Sequence, residues 1–166
     1  MKTSKFETDN HEEELGETQR YLQFGLGHEN YAIHLLSVKE VIPLPETTPL
    51  PNSPSHYVGI MNLRGQIISV IDLRSRLKIK SKEEGLEEAV VIVEFDGVGI
   101  GVIVDSINSV LNIQSDLVSE VPEVSCQINS KYIQGVYQGG EKLTILLDLE
   151  NVLNIGEIKK FQKAAA

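Results

Sequence analysis

The chain repeats itself, and that repeat constrains its fold more than any other feature. Displaced by 76 residues, Gly59 falls on Gly135, Asp72 on Asp148, Leu73 on Leu149, Leu77 on Leu153 and Ile79 on Ile155. A second block matches at a displacement of 69: Ala32-Ile33 falls on Gly101-Val102, Ser37-Val38 on Ser106-Ile107 and Val41 on Val110. Both copies of the first block read as a turn, an apolar strand, Asp-Leu and a short helix. The inference is a duplicated β module, and many short strands at regular spacing favour small barrels. Val70 and Leu146 hold equivalent places, so both are expected to point inward.

The segments between the repeat anchors read as hairpins. Tyr21, Leu22, Phe24 and Leu26 begin a strand, residues 27–30 turn, and Tyr31 to Leu35 return. Pro43, Pro45, Pro49, Pro51 and Pro54 forbid a helix or central strand, which leaves 43–55 as an extended loop or edge. Val58–Leu63 and Ile67–Ile71 pair about Arg64-Gly65-Gln66, and Asp72 caps a short helix over 73–79. Val90–Phe95, Asp96-Gly97 and Val98–Val104 form a hairpin with a type I′ turn. Tyr132–Tyr137 and Leu143–Leu147 pair around Gln138-Gly139-Gly140, and Asp148 caps a last helix with Leu149, Val152 and Leu153 on one face. The expected organisation is a mobile acidic tail over 1–19, a first barrel over 20–80, a charged linker over 80–88, a second barrel over 89–147 and a C-terminal helix over 148–160. The tail holds six acids and little to bury.

Charge and composition narrow the function. A net charge of −9 disfavours a nucleic-acid backbone. Cys126 is the single cysteine, so no intramolecular disulfide forms; a small, partly buried apolar role is expected. The polar N-terminus and the lack of a long apolar run point to a cytoplasmic setting. Of the four histidines, His11, His28, His34 and His56, none sits at zinc-ligand spacing. His34 alternates with Ile33 and Leu35 and is expected to face solvent. Gly25-Leu26-Gly27 and Gly97-Val98-Gly99-Ile100-Gly101 do not open onto a helix, as a phosphate cradle must. With no Trp, five Tyr and four Phe, a proline-recognising groove is disfavoured. No catalytic group, metal or cofactor is expected, and binding through an apolar groove or open strand edge remains.

Asn62-Leu63-Arg64-Gly65 followed by Ile67-Ile68-Ser69-Val70-Ile71-Asp72-Leu73-Arg74 resembles the signature of the CheW family. Residues 31–41 and Val102-Ile103-Val104-Asp105 are similar to two further family blocks, in family order. The similarity spans about residues 20–157; Ser69 stands where the family often carries proline. The resemblance implies two packed five-stranded SH3-like β-barrels. It also implies a non-enzymatic chemotaxis adaptor that binds the regulatory domain of the histidine kinase CheA and, in an apolar groove between the barrels, the cytoplasmic tip of methyl-accepting chemoreceptors. On that basis it would be recruited to membrane receptor arrays. Val38, Glu40, Gly59 and Arg64 match family partner-binding positions, and Ile107 and Val110 follow from the second repeat. A detached CheV- or CheA-type regulatory domain and an uncharacterised β-barrel enzyme are the alternatives.

Overall fold

The computed structural model describes residues 17–80, 87–121, 128–140 and 142–165, the last five of these by backbone alone. Most of the acidic tail, the heart of the linker and Cys126 lie outside the described residues. Among the described residues the strands are β1 (Thr18–Leu26), β2 (Glu29–His34), β3 (Val38–Pro43), β4 (Tyr57–Leu63), β5 (Gln66–Asp72) and β6 (Ala89–Phe95). They continue with β7 (Val98–Val104), β8 (Ser106–Gln114), β9 (Val118–Ser119), β10 (Ile133–Gln138) and β11 (Leu143–Leu147). Three helices, α1 (Leu73–Arg76), α2 (Leu149–Leu153) and α3 (Ile155–Ala165), accompany them. Thr18 and Gln19, placed in the tail by sequence, already belong to β1.

Two sheets form, ordered β8-β1-β2-β11-β10-β9 and β3-β6-β7-β5-β4. Each draws strands from both sides of the 80–88 segment. The first hairpin, β1–β2, leaves its own repeat to join β8–β11, while β6–β7 joins β3–β5. The division at 80–88 therefore separates the repeats, and each sheet crosses it. The reason lies in the hairpins themselves. Leu22 and Phe24 are buried on one face of β1, and Tyr21, with Ala32 of β2, on the other. A hairpin apolar on both faces must sit inside a structure that covers both.

Strand register reproduces both displacements. Parallel β5 and β7 pair Val70 with Gly101, and parallel β11 and β2 pair Leu146 with Ala32. Moving Val70 forward by 76 and Gly101 back by 69 converts the first pair into the second. Bulges recur as well: Lys39 is the extra residue where β3 meets β6, and Asn108 where β8 meets β1. Val58 and Gln134 are the extra residues of β4 and β10. The Thr48–Ile60 bridge is the first repeat's counterpart of the two-residue strand β9, which pairs Ser119 with Val136.

Three cores result. A central one lies between the sheets and holds Leu22, Phe24, Ile71, Leu73, Val91, Val93, Val102, Leu147 and Leu149. Met61, Ile68, Val70, Val90, Ile92 and Ile103 fill one barrel; Tyr21, Ala32, Ile113 and Leu146 fill the other. Val70 and Leu146 are both buried, as their equivalence requires.

The caps and turns obey local chemistry. Asp72 accepts from the Arg74 amide at 3.2 Å and Asp148 from the Asn151 amide at 3.4 Å. The backbone amides of both aspartates donate back, to the carbonyls of His56 and Tyr132, each at 2.8 Å. Asp96 and Gly97 adopt φ of 52° and 76°, and Arg64 and Gly65 of 52° and 85°, the paired left-handed conformations of a type I′ turn. Both helices are shorter than their patterns. Lys78 turns left-handed (φ 59°) after α1, and Asn154 (φ 50°) splits the expected 148–160 helix into α2 and α3.

Candidate partner-binding surface

The family-signature arginine sits where two sheet edges meet. Arg64 occupies the β4–β5 turn, and Glu40 lies on β3, at the opposite edge of the same sheet. Their side chains form a two-pronged ion pair, Nη1 to Oε1 at 2.6 Å and Nη2 to Oε2 at 3.0 Å. The pair, with the Thr48–Ile60 bridge, closes this sheet into a barrel. Arg64 remains largely exposed, with 74% of its side chain accessible. Hydrogen bonding from Arg64 holds the Glu40 carboxyl below the ordinary carboxylate range. A planar guanidinium held in one orientation on the surface is well made for recognising a partner carboxylate or carbonyl.

Val38 and the second-repeat residues share a setting. Val38 lies opposite Val93 and packs against the central core. Ile107 lies opposite Phe24, and Val110 opposite Leu22. Cross-strand partners share a face, so all three side chains lie on the faces that carry the inter-sheet core, at its margins. Ile107 and Val110 are exposed at 37% and 45%, as is Val41 at 41%. Ile107 and Val110 stand on β8 of one sheet, whereas Val38, Glu40, Val41 and Arg64 belong to the other.

Gly59 differs from the rest because it is buried. A Cβ there would collide with the Thr48 carbonyl. The residue keeps the proline-rich 43–55 segment tight against β4, so its influence on a partner runs through the shape of that segment. A Cβ at its counterpart Gly135 would collide with the Val118 side chain and crowd the Ser119 carbonyl.

Several polar residues take places that sequence reasoning missed. His34 is half-buried, its ring 4.5 Å from that of Tyr21; alternation alone put it in solvent, but the neighbouring strand supplies a ring. Asp105 is buried at 4% exposure, where the chain leaves β7 for β8. Its carboxylate accepts from the Gly27 amide at 2.8 Å and from Arg74 Nη1 at 3.2 Å. Arg76 Nε donates to the Val152 carbonyl at 2.6 Å, joining the repeats. The strands β3, β8 and β9 were also unforeseen. The 69-residue displacement lays Ser106, Ile107 and Val110 over β3 and the turn before it, so it linked β8 to β3 without marking either as a strand.

A family model described as CheW-like domain matches residues 20–157. The chain belongs to the CheW family. It is 32% identical over 145 residues to the chemotaxis protein CheW of Klebsiella aerogenes, covering 86% of this chain and 87% of that one. Identity to the chemotaxis protein CheW of Treponema pallidum is 33% over 141 residues, covering 82% and 83%. The crystal structure of the scaffolding protein TtCheW from Thermoanaerobacter tengcongensis superposes with a TM-score of 0.75 at 30% identity, covering 82% of this chain and 88% of that one. CheW membership makes the chain a chemotaxis adaptor built on a two-barrel β fold. Where this CheW-family chain departs from the frequent proline, Ser69 is fully buried and its hydroxyl lies 2.6 Å from the Tyr57 hydroxyl. The local exchange replaces a ring by a hydrogen bond and leaves the β4–β5 pairing intact. No helix among the described residues is long and apolar enough to cross a membrane.

Proposed function

We propose that this adaptor links the cytoplasmic tip of methyl-accepting chemoreceptors to the regulatory domain of the histidine kinase CheA, within membrane receptor arrays and without chemistry of its own. The observation that carries the reading is the exposed guanidinium of Arg64, held in one orientation by Glu40, which lies on the same strand that brings Val38 to the margin of the inter-sheet core. Val38 supplies apolar contact, together with Ile107 and Val110 on the other sheet. Arg64 and Glu40 set orientation, where charge contributes specificity more than affinity. Gly59 acts through the shape of the segment over it. Holding two partners at once raises their effective concentration, which is enough to couple them.

Receptor-stimulated kinase activity, measured beside separate binding curves for each partner, tests the reading. Arg64→Ala is expected to leave the denaturant midpoint unchanged and to weaken coupling about tenfold or more, the scale of one lost charged contact. Val38→Ala is expected to weaken receptor binding in a folded protein. The reversal Arg64→Glu with Glu40→Arg should restore part of the lost activity if the pair acts as a unit. Unchanged binding and coupling in folded Arg64→Ala would make the residue structural and the site assignment wrong.

A further inference from the structure

The two places where the chain passes from one sheet to the other are equivalent by the repeat, yet they are filled differently. At the β7–β8 crossover the Arg74 side chain crosses the gap to the buried Asp105, and only 19% of it is accessible. Moving by the two displacements, Arg74 becomes Glu150 and Asp105 becomes Leu36. Among the described residues, the β2–β3 crossover accordingly holds no ion pair. Leu36 is wholly exposed in the turn before β3. Beside it lies an open cavity of about 340 Å³ lined by residues that include Ile33, His34, Phe95, Leu147 and Glu150. Three of its apolar lining residues have apolar mates: Ile33 answers to Val102, Phe95 to Leu26, and Leu147 to Ile71.

We infer that the β2–β3 cavity receives the arginine side chain of a partner protein, in the role that Arg74 plays from within the chain at the equivalent crossover. Four observations support this occupant. The cavity is the repeat-mate of a site already filled by a guanidinium side chain. Its lining is mixed: Ile33, Phe95, Leu147 and Leu149 suit the methylene stem of that side chain, and His34, Ser37 and Gln134 are polar. At the rim, the Glu150 carboxylate is exposed and pairs with no side chain among the described residues, so it supplies the counter-charge. The other lining carboxylate, Asp148, is engaged with Asn151 and is not needed. Finally, Leu36 offers an apolar contact to whatever chain carries the arginine, and the net charge of −9 favours a basic partner.

The test uses the full chain and small probes, so it does not depend on which macromolecule is the partner. N-acetyl-arginine methylamide is titrated while the methyl resonances of Ile33, Leu147 and Leu149 are followed, with N-acetyl-norleucine methylamide as the uncharged control. Saturating shifts at these methyls are expected with the arginine probe, at least fivefold weaker with norleucine, and at least fivefold weaker in Glu150→Gln. A second arm rebuilds the clamp inside the chain: Leu36→Asp with Glu150→Arg is expected to abolish the response. Equal response to both probes, a response indifferent to Glu150→Gln, no response at all, or a response that survives the double change would each overturn the inference. Loss of receptor coupling in Arg64→Ala with an intact arginine response would separate this site from the surface proposed above.

Discussion

The two repeat-equivalent hairpin tips of this protein share a strand register and almost nothing else. The β4–β5 turn carries Arg64, bound to Glu40 across the barrel edge. Its repeat-mate, the β10–β11 turn, carries Gly140, and the mate of Glu40 is Ser109. The bulges, the cap aspartates and the glycine packed under the preceding segment recur in both copies. Apolar core positions such as Val70 and Leu146 and most backbone devices were therefore kept through the duplication, while exposed side chains and the buried Asp105 diverged. Binding specificity is to be sought where the copies differ, and stability where they agree.

The most damaging way to break the comparison is to separate the copies. Fragments ending at Lys80 and starting at Glu87 are each expected to be unfolded alone, because each sheet needs strands from both. Mixed together they are expected to regain dispersed amide resonances; a fragment that folds by itself would show that the exchange of hairpins is dispensable. Next in size are the equivalent core positions. Leu146→Ala is expected to cost about 3 kcal/mol and Val70→Ala about 2 kcal/mol, the difference following the hydrocarbon removed. Urea melts that find either change neutral would contradict the shared inward face.

The paired glycines sharpen the comparison further. A methyl at Gly59 meets a backbone carbonyl, whereas at Gly135 it first meets the side chain of Val118, which can move. Gly59→Ala is expected to cost about 2 kcal/mol and Gly135→Ala about 1 kcal/mol, within the usual range for overpacking; a reversed order in denaturant midpoints would show that the 43–55 segment yields more easily than Val118. The smallest effect is a pH dependence confined to one copy. His56 and its mate Tyr132 play the same backbone part toward a cap aspartate, but only histidine titrates near neutrality. Burial, and then the Arg76 charge, hold His56 below its ordinary pKa against the pull of Glu157. Its contribution to stability is present above the unfolded value of about 6.5 and is lost as pH falls through the lowered folded value. Thermal midpoints are expected to decline on acidification from pH 7, and His56→Gln to flatten that part of the curve; an unaltered slope in the variant would assign the decline to other groups.

Much of the architecture was legible because the repeat is written in buried residues and turn chemistry. Asp-Gly at 96–97 and the two Asp-Leu caps fold from local forces, and local forces are what a single sequence expresses. The exchange of hairpins was not legible, since which sheet a strand joins depends on partners more than a hundred residues away, as with Ala32 and Leu146. β8 escaped for a related reason: Ser106 to Gln114 shows no clean alternation, with Val110 and Leu111 both apolar, and only pairing with β1 makes it a strand. Of the site, Arg64 was named from the family signature and Glu40 from the 31–41 block, and their contact required the closed barrel. Asp105 was quoted as part of a motif; its burial follows from Gly27 and Arg74, which the sequence places 78 and 31 residues away.

The exchanged hairpin also bears on how the protein is made. β2 cannot find its parallel neighbour until β11 has left the ribosome, more than a hundred residues later. At roughly 5–20 residues per second of synthesis, that interval is on the order of ten seconds. Throughout it the nascent chain presents a hairpin with an apolar side and an unpaired edge, so the youngest protein, rather than the finished one, is the form most exposed to aggregation and most in need of a chaperone.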